Sequence, residues 1–576
     1  METKVWPKLF VGSMVVLNLF LLTACSDSDS DGNVGSVQSA ALSCEEIAQL
    51  EVQDAVINAV TAVPAGGQQF IQSEGYPTPV NVTLDVDICR VQGTAMPTPE
   101  SRINFELWIL SSEWNKKLMA FGNGGYSAKM SSGYSSMTKQ VARGNATVVG
   151  DTGHDTEDMM FVVGNPESMA DWGYRSVHAI TVAAKFILKN SQGTSPLYSY
   201  YQGCSTGGGQ GLAEAQRYPD DFDGILVGDP GNNRMRLNIA FMYMFLANHN
   251  TNDNSTPIIP LSRDTSLSPE LQNKLPMIQS RVIEICDSLD GVTDGILDDP
   301  RLCVAPDFDE DMLLCTGGDA ADCLTEEQVT ALRNLHTGPL DLRETVNNVS
   351  NPNYSMPIYQ FPKGSESSMY NYMGLSGEPA RADFWRYWVF NDPNWDWWSF
   401  DFNRDLTYAV QTVSPVVDSI DPDLKPFRDS GGKIIIYNGW ADGVVSATDT
   451  ALYYDNVVKT VSGTEATAYE DTQSFARLFL VPGMGHCRGD FCPGITGQDG
   501  ALAASAETDF MLALENWVEN GIAPDMMIGA KTVSGEVDMT RPICPYPQIA
   551  KYIGPAPADL TNTEIKIEGN WACLEP

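Results

Sequence analysis

Short runs of apolar, β-branched and aromatic residues recur along the chain, and each is followed at once by a turn that contains glycine. They cover residues 118–121, 146–149, 197–202, 433–437 and 478–481. Such runs are typical of the buried strands of an α/β sheet, whose carboxyl ends collect the functional groups of the protein. The pattern therefore predicts an α/β fold with its chemistry in the turns after these strands.

The pattern changes between residues 231 and 424, where polar loops and prolines replace the strand-like runs. We interpret this stretch as a lid domain inserted into a core that comprises residues 44–230 and 425–576. Aromatic residues are concentrated at 384–390 and 395–398. We expect most of them to form the core of the lid and the remainder to offer an apolar wall to an aromatic ligand, because binding pockets are mostly apolar.

The first residues have the pattern of an export signal. Lys4 and Lys8 flank the start of an apolar run over residues 9–22, which is shorter than a membrane span. The run ends in Leu22-Thr23-Ala24-Cys25, which resembles a bacterial lipobox. Residues 1–24 would then be removed as a lipoprotein signal peptide, and Cys25 would be acylated. The polar, acidic residues 25–43 would form a flexible tether.

This N-terminus predicts an exported protein whose one contact with a membrane is a lipid anchor. Ser26, rather than an aspartate, follows Cys25, which by resemblance to bacterial sorting signals favours the outer membrane of a Gram-negative bacterium. A plain secretory peptide is the alternative, and it would leave the protein periplasmic or secreted.

Charge and cysteine content narrow the choice of partners. The chain has 74 acidic and 35 basic residues, and its formal net charge is −39 at pH 7. This charge repels phosphate backbones, which argues against nucleic acid as a partner. Twelve cysteines in an exported chain predict disulfides. If Cys25 is acylated, an odd number remains and at least one thiol is free.

A candidate nucleophile follows the run 197–202. The segment Gly203-Cys204-Ser205-Thr206-Gly207 matches G-x-S-x-G and precedes a helix-compatible stretch at 211–215. A strand, a sharp turn and a helix are the context of the nucleophile elbow, in which small neighbours let the backbone turn tightly and expose the serine hydroxyl. The segment therefore predicts an α/β-hydrolase core with Ser205 as the nucleophile.

A serine hydroxyl needs a neighbouring base, and the chain has five histidines. His178 lies in a helix-like stretch, and His249 and His336 lie in the predicted lid. His154 follows a strand-like run but precedes the nucleophile, which is the wrong chain order for this fold, so it is the reserve candidate. His486 follows a late strand, where the base of an α/β-hydrolase belongs.

The acid that orients the base should lie between the serine and the histidine and follow a late strand. Asp442, in Tyr437-Asn438-Gly439-Trp440-Ala441-Asp442, meets both conditions. Asp229 also follows an apolar run, but that run comes directly after the nucleophile's helix, so we rank it second. The order Ser205, Asp442, His486 is the usual one for this fold.

The negative charge that develops during acyl transfer needs backbone N–H donors. We expect the amide of Thr206, at the start of the helix after the elbow, to be one donor, and the amide of Gly124 or Gly125 to be the other. A simple glycine turn is the alternative interpretation of these two glycines.

With these candidates in place, three segments resemble the tannase and feruloyl esterase family: residues 203–208, 439–442 and 483–487. The resemblance covers residues 44–576. Its most specific element is a cysteine directly before the serine and another directly after the histidine, and the family joins these two by a disulfide. The resemblance implies disulfides between Cys204 and Cys487, Cys44 and Cys89, Cys286 and Cys303, Cys315 and Cys323, and Cys544 and Cys573, with Cys492 left over.

The loop over residues 287–296 concentrates aspartates and glycines between two of these cysteines. Calcium prefers such oxygen ligands, although the spacing differs from that of an EF-hand, and an acidic surface loop is the alternative. Resemblance to the calcium site of the family implies a structural Ca²⁺ held by the carboxylates of Asp287, Asp290 and Asp294 and the carbonyls of Val292 and Ile296. No organic cofactor is expected.

Together these features predict a serine carboxylic ester hydrolase that works through an acyl-enzyme. The resemblance implies small aromatic acyl esters as substrates, of the gallate or hydroxycinnamate type and possibly attached to plant polymers. One alternative is hydrolysis of a terephthalate monoester, a related branch whose nucleophile is followed by Glu, whereas this chain has Thr206. Others are a catalytically silent lipoprotein that binds aromatic or glycan ligands, and a peptidase or acyltransferase with the same triad.

Overall fold

The computed structural model of the protein describes residues 41–73, 75–338, 361–402, 404–494 and 501–575. The predicted signal peptide, Cys25 and most of the predicted tether lie outside the described residues. Within these ranges, no helix combines the length and the apolar character that a bilayer crossing requires.

The described residues form fifteen strands and a larger number of helices. The strands are β1 (Ala55–Val63), β2 (Gly66–Phe70), β3 (Val80–Leu84), β4 (Ile88–Ala95), β5 (Ile103–Leu110), β6 (Lys117–Phe121), β7 (Ala146–Gly150), β8 (Tyr198–Cys204), β9 (Gly224–Gly228), β10 (Lys433–Gly439), β11 (Ala476–Val481), β12 (Met527–Val533), β13 (Glu536–Ile543), β14 (Ile549–Tyr552) and β15 (Trp571–Leu574). The longer helices are Tyr134–Ala142, Ser176–Gln192, Thr206–Arg217, Arg234–Ala247, Leu275–Cys286, Glu326–Thr337, Arg404–Thr412, Ala447–Val461 and Phe510–Asn520. Shorter α-helices are Cys44–Ile47, Pro166–Ala170, Glu366–Met369, Ser414–Val417, Lys425–Asp429 and Ala468–Gln473.

One mixed sheet, in the order β1-β4-β5-β7-β6-β8-β9-β10-β11, forms the centre of the protein. The strands from β7 to β11 in this order are parallel, and β1, β4 and β5 are antiparallel to their neighbours. The parallel strands β6, β7, β8, β10 and β11 coincide with the runs predicted from the sequence. Their carboxyl ends meet at one edge of the sheet.

Helices cover both faces of this sheet. Alternate residues of β6 point to opposite sides, so that Leu118 and Ala120 join one apolar cluster and Met119 and Phe121 join the other. The first cluster includes residues of the helices Ser176–Gln192, Thr206–Arg217 and Ala447–Val461. The second includes residues of Tyr134–Ala142 and Phe510–Asn520. A mixed, mainly parallel sheet between two helical layers confirms the predicted α/β-hydrolase fold.

The long stretch interpreted as a lid is inserted between β9 and β10, two neighbouring parallel strands. Its described residues build two further apolar clusters and belong to the same compact unit as the sheet, Ala40–Pro576. Phe384, Trp385 and Trp388 are buried in one of these clusters. The other aromatic residues of 384–390 and 395–398 are half-buried, and four of them pack against the same cluster: Tyr387, Phe390, Trp395 and Trp397.

A buried histidine ties the insertion together. His336 Nδ1 lies 2.7 Å from Glu310 and its Nε2 lies 3.0 Å from Glu366. Burial alone would lower the pKa of His336, but its hydrogen bonds and charge interactions with the two carboxylates raise it. For Glu310 the directions are reversed: burial would raise its pKa, but the hydrogen bond to His336 and the charge of that residue lower the pKa to about 2. Both ring nitrogens of this histidine are thus used by carboxylates of the insertion, which indicates a structural role.

Candidate active site

Ser205 occupies the turn between β8, which ends at Cys204, and the helix Thr206–Arg217. Its φ of 62° and ψ of −119° lie in a region that few residues other than glycine adopt. The turn is so tight that a Cβ on Gly203 would lie 2.5 Å from the carbonyl oxygen of Gly207. The glycines of the sequence motif are thus required by close approach of the backbone, as the nucleophile elbow demands.

His486 follows β11 and lies against the serine. Its Nε2 is 2.9 Å from Ser205 Oγ, and its Nδ1 is 2.7 Å from Asp442 Oδ2. All five histidines are described, and the reserve candidate, His154, instead bonds the carbonyl of Thr156 at 3.1 Å. Burial lowers the pKa of His154 to about 4. The structure therefore brings together the three residues predicted as a triad.

Asp442 is fully buried in the loop after β10. Its Oδ1 accepts hydrogen bonds from the backbone N–H groups of Val444 at 2.7 Å and Val445 at 3.0 Å. These bonds leave Oδ2 to face His486, so the carboxylate holds the imidazole ring in one orientation.

Asp229, ranked second as the acid, lies at the same place. An oxygen of Asp229, an oxygen of Asp442 and a nitrogen of His486 all lie within 4.8 Å of one another. Asp442 is the carboxylate that contacts the imidazole at hydrogen-bonding distance. The proximity of these two carboxyls could not be predicted from the sequence, because the long insertion separates them along the chain.

The structure contains the five disulfides that the family resemblance implied: Cys44–Cys89, Cys204–Cys487, Cys286–Cys303, Cys315–Cys323 and Cys544–Cys573. The second of these joins the residue before Ser205 to the residue after His486, across 283 positions of sequence. Cys492 is the free cysteine among those described.

The residues predicted to stabilise the oxyanion also adjoin the serine. The Thr206 hydroxyl donates to the carbonyl of Gly125 at 2.7 Å and accepts from Arg234 Nη2 at 2.6 Å. Asn123, one residue before Gly124, donates its backbone N–H to Gln210 of the nucleophile's helix at 3.0 Å. The glycine loop is therefore fastened to the helix start, whose first N–H groups have no partner within the helix.

Tyr126, Trp172 and Arg381, which lie beside this loop, were not predicted, whereas Trp388 belongs to the aromatic segment 384–390. The ring of Tyr126 stacks on Trp172 with centroids 4.8 Å apart, and Trp388 meets its edge at 5.3 Å. The guanidinium of Arg381 lies 5.0 Å from the Tyr126 ring, and its Nη2 is 3.2 Å from where a Cβ of Gly125 would be. Tyr126 directly follows the predicted glycines, which was a usable signal. Arg381 lies in the insertion and had none.

The predicted calcium loop packs against the C-terminal part of the chain. Asp287 accepts from the N–H groups of Gly295 at 2.9 Å and Ile296 at 3.2 Å, and Asp290 accepts from Val292 at 3.0 Å. Among the described residues, no three of the loop's carboxylates have oxygens within 4.8 Å of one another.

Arg541 and Asp298 lie beside this loop. Arg541 pairs with Asp294 at 3.4 Å and with Asp298 at 2.8 Å. Oδ1 of Asp298, a residue that the sequence did not single out, is buried without a hydrogen-bond partner. Several buried carboxylates with one arginine and an unpartnered oxygen fit a hard cation as an additional positive charge.

Comparison with known proteins bears on the whole chain. The family model for tannase and feruloyl esterase matches residues 89–567. An uncharacterized esterase of Xanthomonas campestris is 31% identical over 566 residues, which cover 92% of either chain. A probable feruloyl esterase B-1 of Aspergillus flavus is 32% identical over 540 residues, which cover 91% of this chain and 94% of that protein.

Solved structures agree with these matches. The crystal structure of feruloyl esterase B from Aspergillus oryzae is 30% identical, covers 92% of this chain and 99% of that chain, and superposes with a TM-score of 0.78. The chain therefore belongs to the tannase and feruloyl esterase family, and it is an esterase.

Proposed function

We propose that the protein is a serine carboxylic ester hydrolase that works through an acyl-enzyme. The observation that carries the proposal is the continuous hydrogen-bonded chain from Ser205 through His486 to Asp442, at 2.9 Å and 2.7 Å. A catalytically silent scaffold would have no need of this arrangement.

In the first half of the reaction, Ser205 Oγ attacks the carbonyl carbon of the ester while His486 Nε2 takes the hydroxyl proton. The Nδ1–H of His486 donates to Asp442, whose negative charge stabilises the imidazolium. The imidazolium then returns the proton to the departing alcohol as the bond from carbon to the alcohol oxygen breaks. Water, activated by the same base, hydrolyses the acyl-enzyme and restores Ser205.

The carbonyl oxygen becomes negatively charged in both tetrahedral intermediates. The N–H of Thr206 and that of Gly124 or Gly125 would bind it, because these groups lie at the start of the nucleophile's helix and in the loop fastened to it. The peptide that carries the Gly125 N–H is oriented through its own carbonyl, that of Gly124, which accepts from the N–H of Ser127 at 3.1 Å. This hydrogen bond therefore supports a donor set that is arranged before substrate binds.

Aromatic acyl groups of the gallate or hydroxycinnamate type are the proposed substrates. The stacked rings of Tyr126 and Trp172 are buried directly after the glycine loop, so the surroundings proposed for the acyl group are apolar and aromatic. Relatives named feruloyl esterase and tannase support the same substrate class.

One observation favours a second candidate, an ester that carries a carboxylate on its acyl group, such as a terephthalate monoester. The guanidinium of Arg381 beside Gly125 could bind that carboxylate, in spite of the chain's overall negative charge. The presence of Thr206 rather than Glu after the nucleophile argues against this second candidate.

The decisive test is hydrolysis of methyl gallate, methyl ferulate and a terephthalate monoester side by side, with Ser205→Ala as the inactive control. We expect turnover of one of the two methyl esters, lost in the variant together with fluorophosphonate labelling. Preference for the terephthalate monoester, lowered in Arg381→Ala but not in Arg386→Ala, would establish the second candidate. Arg386 is the matched control because it already pairs with Glu378 and Asp383. No turnover with labelling intact would discard both substrate classes.

We further propose a structural Ca²⁺ in the loop over residues 287–296, held by carboxylates of Asp287, Asp290 and Asp294 and carbonyls of Val292 and Ile296, with Asp298 close by. Calcium at about 100 times its Kd should raise the free energy of unfolding by about 2.7 kcal/mol. Chelation should lower the Tm, and the effect should vanish in Asp290→Asn but persist in Asp264→Asn, an exposed aspartate of the insertion. A Tm indifferent to chelator and the absence of calorimetric binding heat would refute the site.

We also propose that the protein is exported and anchored through an acylated Cys25. The support is the sequence pattern of residues 1–25. In a Gram-negative host, the protein should fractionate with the outer membrane, and Cys25→Ser should remove incorporation of labelled fatty acid. Equal labelling of both forms would refute the anchor.

A further inference from the structure

A second buried carboxyl, that of Asp229, adjoins the triad. Asp229 directly follows β9, at the start of the insertion, and its side chain is as fully buried as that of Asp442. The mechanism above uses Asp442 and leaves Asp229 without a role. Because a buried polar group is costly unless it is paired, its surroundings indicate what it does.

Asp229 contacts the turns that carry all three residues of the triad. Its Oδ1 accepts from the backbone N–H of Gly439 at 3.0 Å and from Asn438 Nδ2 at 3.0 Å, both on the strand that leads to Asp442. Its Oδ2 accepts from the N–H of Cys487, next to His486, at 3.2 Å. The same oxygen lies 3.6 Å from the sulfur of Cys204, next to Ser205.

Two ionised carboxylates at this separation would repel each other strongly in a site shielded from water. The titratable groups that face Asp229 are Asp442, His486, Tyr437 and Cys492. Tyr437 and Cys492 are uncharged, because burial raises the pKa of Tyr437 well above its usual value and that of Cys492 to about 12. Neither therefore offsets a second negative charge.

Burial, followed by the charge of Asp442, raises the pKa of Asp229 well above its usual value, and the N–H of Gly439 offsets this only in part. The hydrogen bonds decide which carboxyl keeps the negative charge. Those to Asp442 measure 2.7 to 3.0 Å. Those to Asp229 are longer, at 3.0 to 3.2 Å. The 2.7 Å contact from His486 Nδ1 is made to Asp442, which favours the negative charge on that carboxyl.

We propose that Asp229 is a positioning residue of the triad, which keeps a proton and donates it in a hydrogen bond to Asp442, so that the two carboxyls carry one negative charge opposite His486. The inference rests on the proposed serine hydrolase mechanism. It deepens that mechanism, because Asp229 holds Asp442 ionised, in place and connected to the turn of the base.

Two substitutions separate a protonated Asp229 from an ionised one. Asp229→Asn keeps a neutral group that can donate to Asp442, whereas Asp229→Ala removes the donor. We expect kcat to fall by about 10- to 100-fold in Asp229→Ala, the effect of one hydrogen bond to a charged group, with KM little changed. Asp229→Asn should retain more activity, and the alkaline ionisation of the pair should disappear from its pH profile. Equal impairment of the two variants would overturn the proposal.

Infrared difference spectroscopy detects the proton on Asp229 directly, and a purely structural role of this residue would not require that proton. The wild type at neutral pH should show the carbonyl stretch of a protonated carboxyl that is missing in Asp229→Asn. Glu214→Gln is the matched control, because burial also raises the pKa of Glu214 well above its usual value. That control should lose its own band and keep the wild-type pH profile. Absence of the Asp229 band would refute the shared proton even if Asp229→Ala fails to fold.

The rate of fluorophosphonate labelling against pH repeats the comparison without an ester substrate. We expect the wild type and Asp229→Asn to differ on the alkaline side alone, and identical profiles would contradict the proposal. Failure of the proposed substrate class leaves this assay unaffected. Absence of labelling in the wild type would instead refute the serine mechanism itself.

Discussion

Ser205 lies in a backbone conformation that costs a residue with a side chain about 1–3 kcal/mol. Neighbouring strands hold it there. Its N–H donates to the carbonyl of Gly228 at 3.0 Å, and its own carbonyl accepts from Gly231 at 2.8 Å. Gly228 and Gly231 lie on either side of Asp229, so the backbone at the end of β9 holds Ser205 in this conformation. At the scale of single residues, the site is therefore fixed by backbone contacts as much as by the triad's side chains.

Replacing the acid of the triad tests the role of a single oxygen. Asp442→Asn should lower kcat on the order of 10³- to 10⁴-fold with little change in KM, because an amide there favours the wrong tautomer of His486. Steady-state kinetics on the best ester measures this. Asp449→Asn, a buried aspartate that pairs with Arg236, is the control and should keep its kcat. An Asp442→Asn enzyme with a tenth of normal activity would show that Asp442 is not the orienting acid.

The three residues of the proposed triad could be located from the sequence because each has a local signature: a glycine-rich turn, a strand before it and a place in the chain order. Arg381 and Asp229 have no such signature. Arg381 reaches Gly125 from the insertion, and Asp229 reaches Asp442 through the pairing of β9 with β10. Contacts of this kind depend on how distant segments pack, which a local pattern does not encode.

At the scale of elements, β9 and β10 lie between β8 and β11 in the sheet. The loop after β11, which carries His486, therefore has to cross the ends of β10 and β9 to contact the end of β8. The disulfide Cys204–Cys487 secures this contact, with its Cα atoms 6.0 Å apart. The serine and histidine are the immediate neighbours of the two sulfurs. The bond therefore fixes the distance between nucleophile and base directly.

Removal of this disulfide should cost both stability and activity. In the chain-entropy account, the Cys204→Ala/Cys487→Ala protein should lose about 3 kcal/mol more unfolding free energy than Cys315→Ala/Cys323→Ala, because its loop spans 283 rather than 8 positions. Its kcat should also fall, whereas that of the control should not. Denaturant unfolding and ester kinetics measure the two effects. Equal losses in both pairs would show that packing alone keeps nucleophile and base together.

Most of the parallel strands could be predicted because a continuous apolar run bounded by turns is a local pattern. The buried antiparallel strands β4 and β5 were missed, because polar residues interrupt their apolar positions. The antiparallel strand β1 and the hairpins β12–β13 and β14–β15 were not predicted either. Half or more of the residues in each of these strands are not buried, and β14 has no buried residue. An element that packs on one side against a distant part of the chain leaves a weaker trace in its sequence.

At the scale of the whole molecule, the acidic loop joins the insertion to the C-terminal hairpins. Val292 and Ile296 of the loop pack in the apolar cluster that covers one face of the central sheet. Arg541, on β13, forms the ion pairs with the loop's aspartates. The insertion is thus held at both its own core and the far end of the chain, which makes its position part of the global fold.

The contribution of the buried His336 network to the free energy of unfolding should depend on pH. Compared with His336→Gln, the wild type gains unfolding free energy only while Glu310 is ionised and His336 is protonated. The gain should fade as pH drops from about 4.5 towards about 2, the lowered pKa of Glu310. It should also fade as pH rises through the raised pKa of His336. Denaturant titrations of both proteins across this range measure the difference.

His249 is the matched control, because its pKa is shifted in the opposite direction to that of His336. Burial lowers the pKa of His249, which bonds the Phe245 carbonyl at 3.0 Å. Its contribution should therefore be present above pH 6.5 and fade as pH falls. If the His336 difference followed that trend instead, the histidine would be buried uncharged.

The bond between Cys204 and Cys487 also sets the order of events during biosynthesis. A growing chain that has passed Ser205 possesses a nucleophile but no base, since His486 is still to be made, and its Cys204 has no partner. The proposed pair of Ser205 and His486 is complete only when the last part of the sheet has been added, and the two thiols then need an oxidant to form their disulfide. Under the proposed mechanism and export, full activity is therefore acquired late, after the chain has reached a compartment that oxidises thiols.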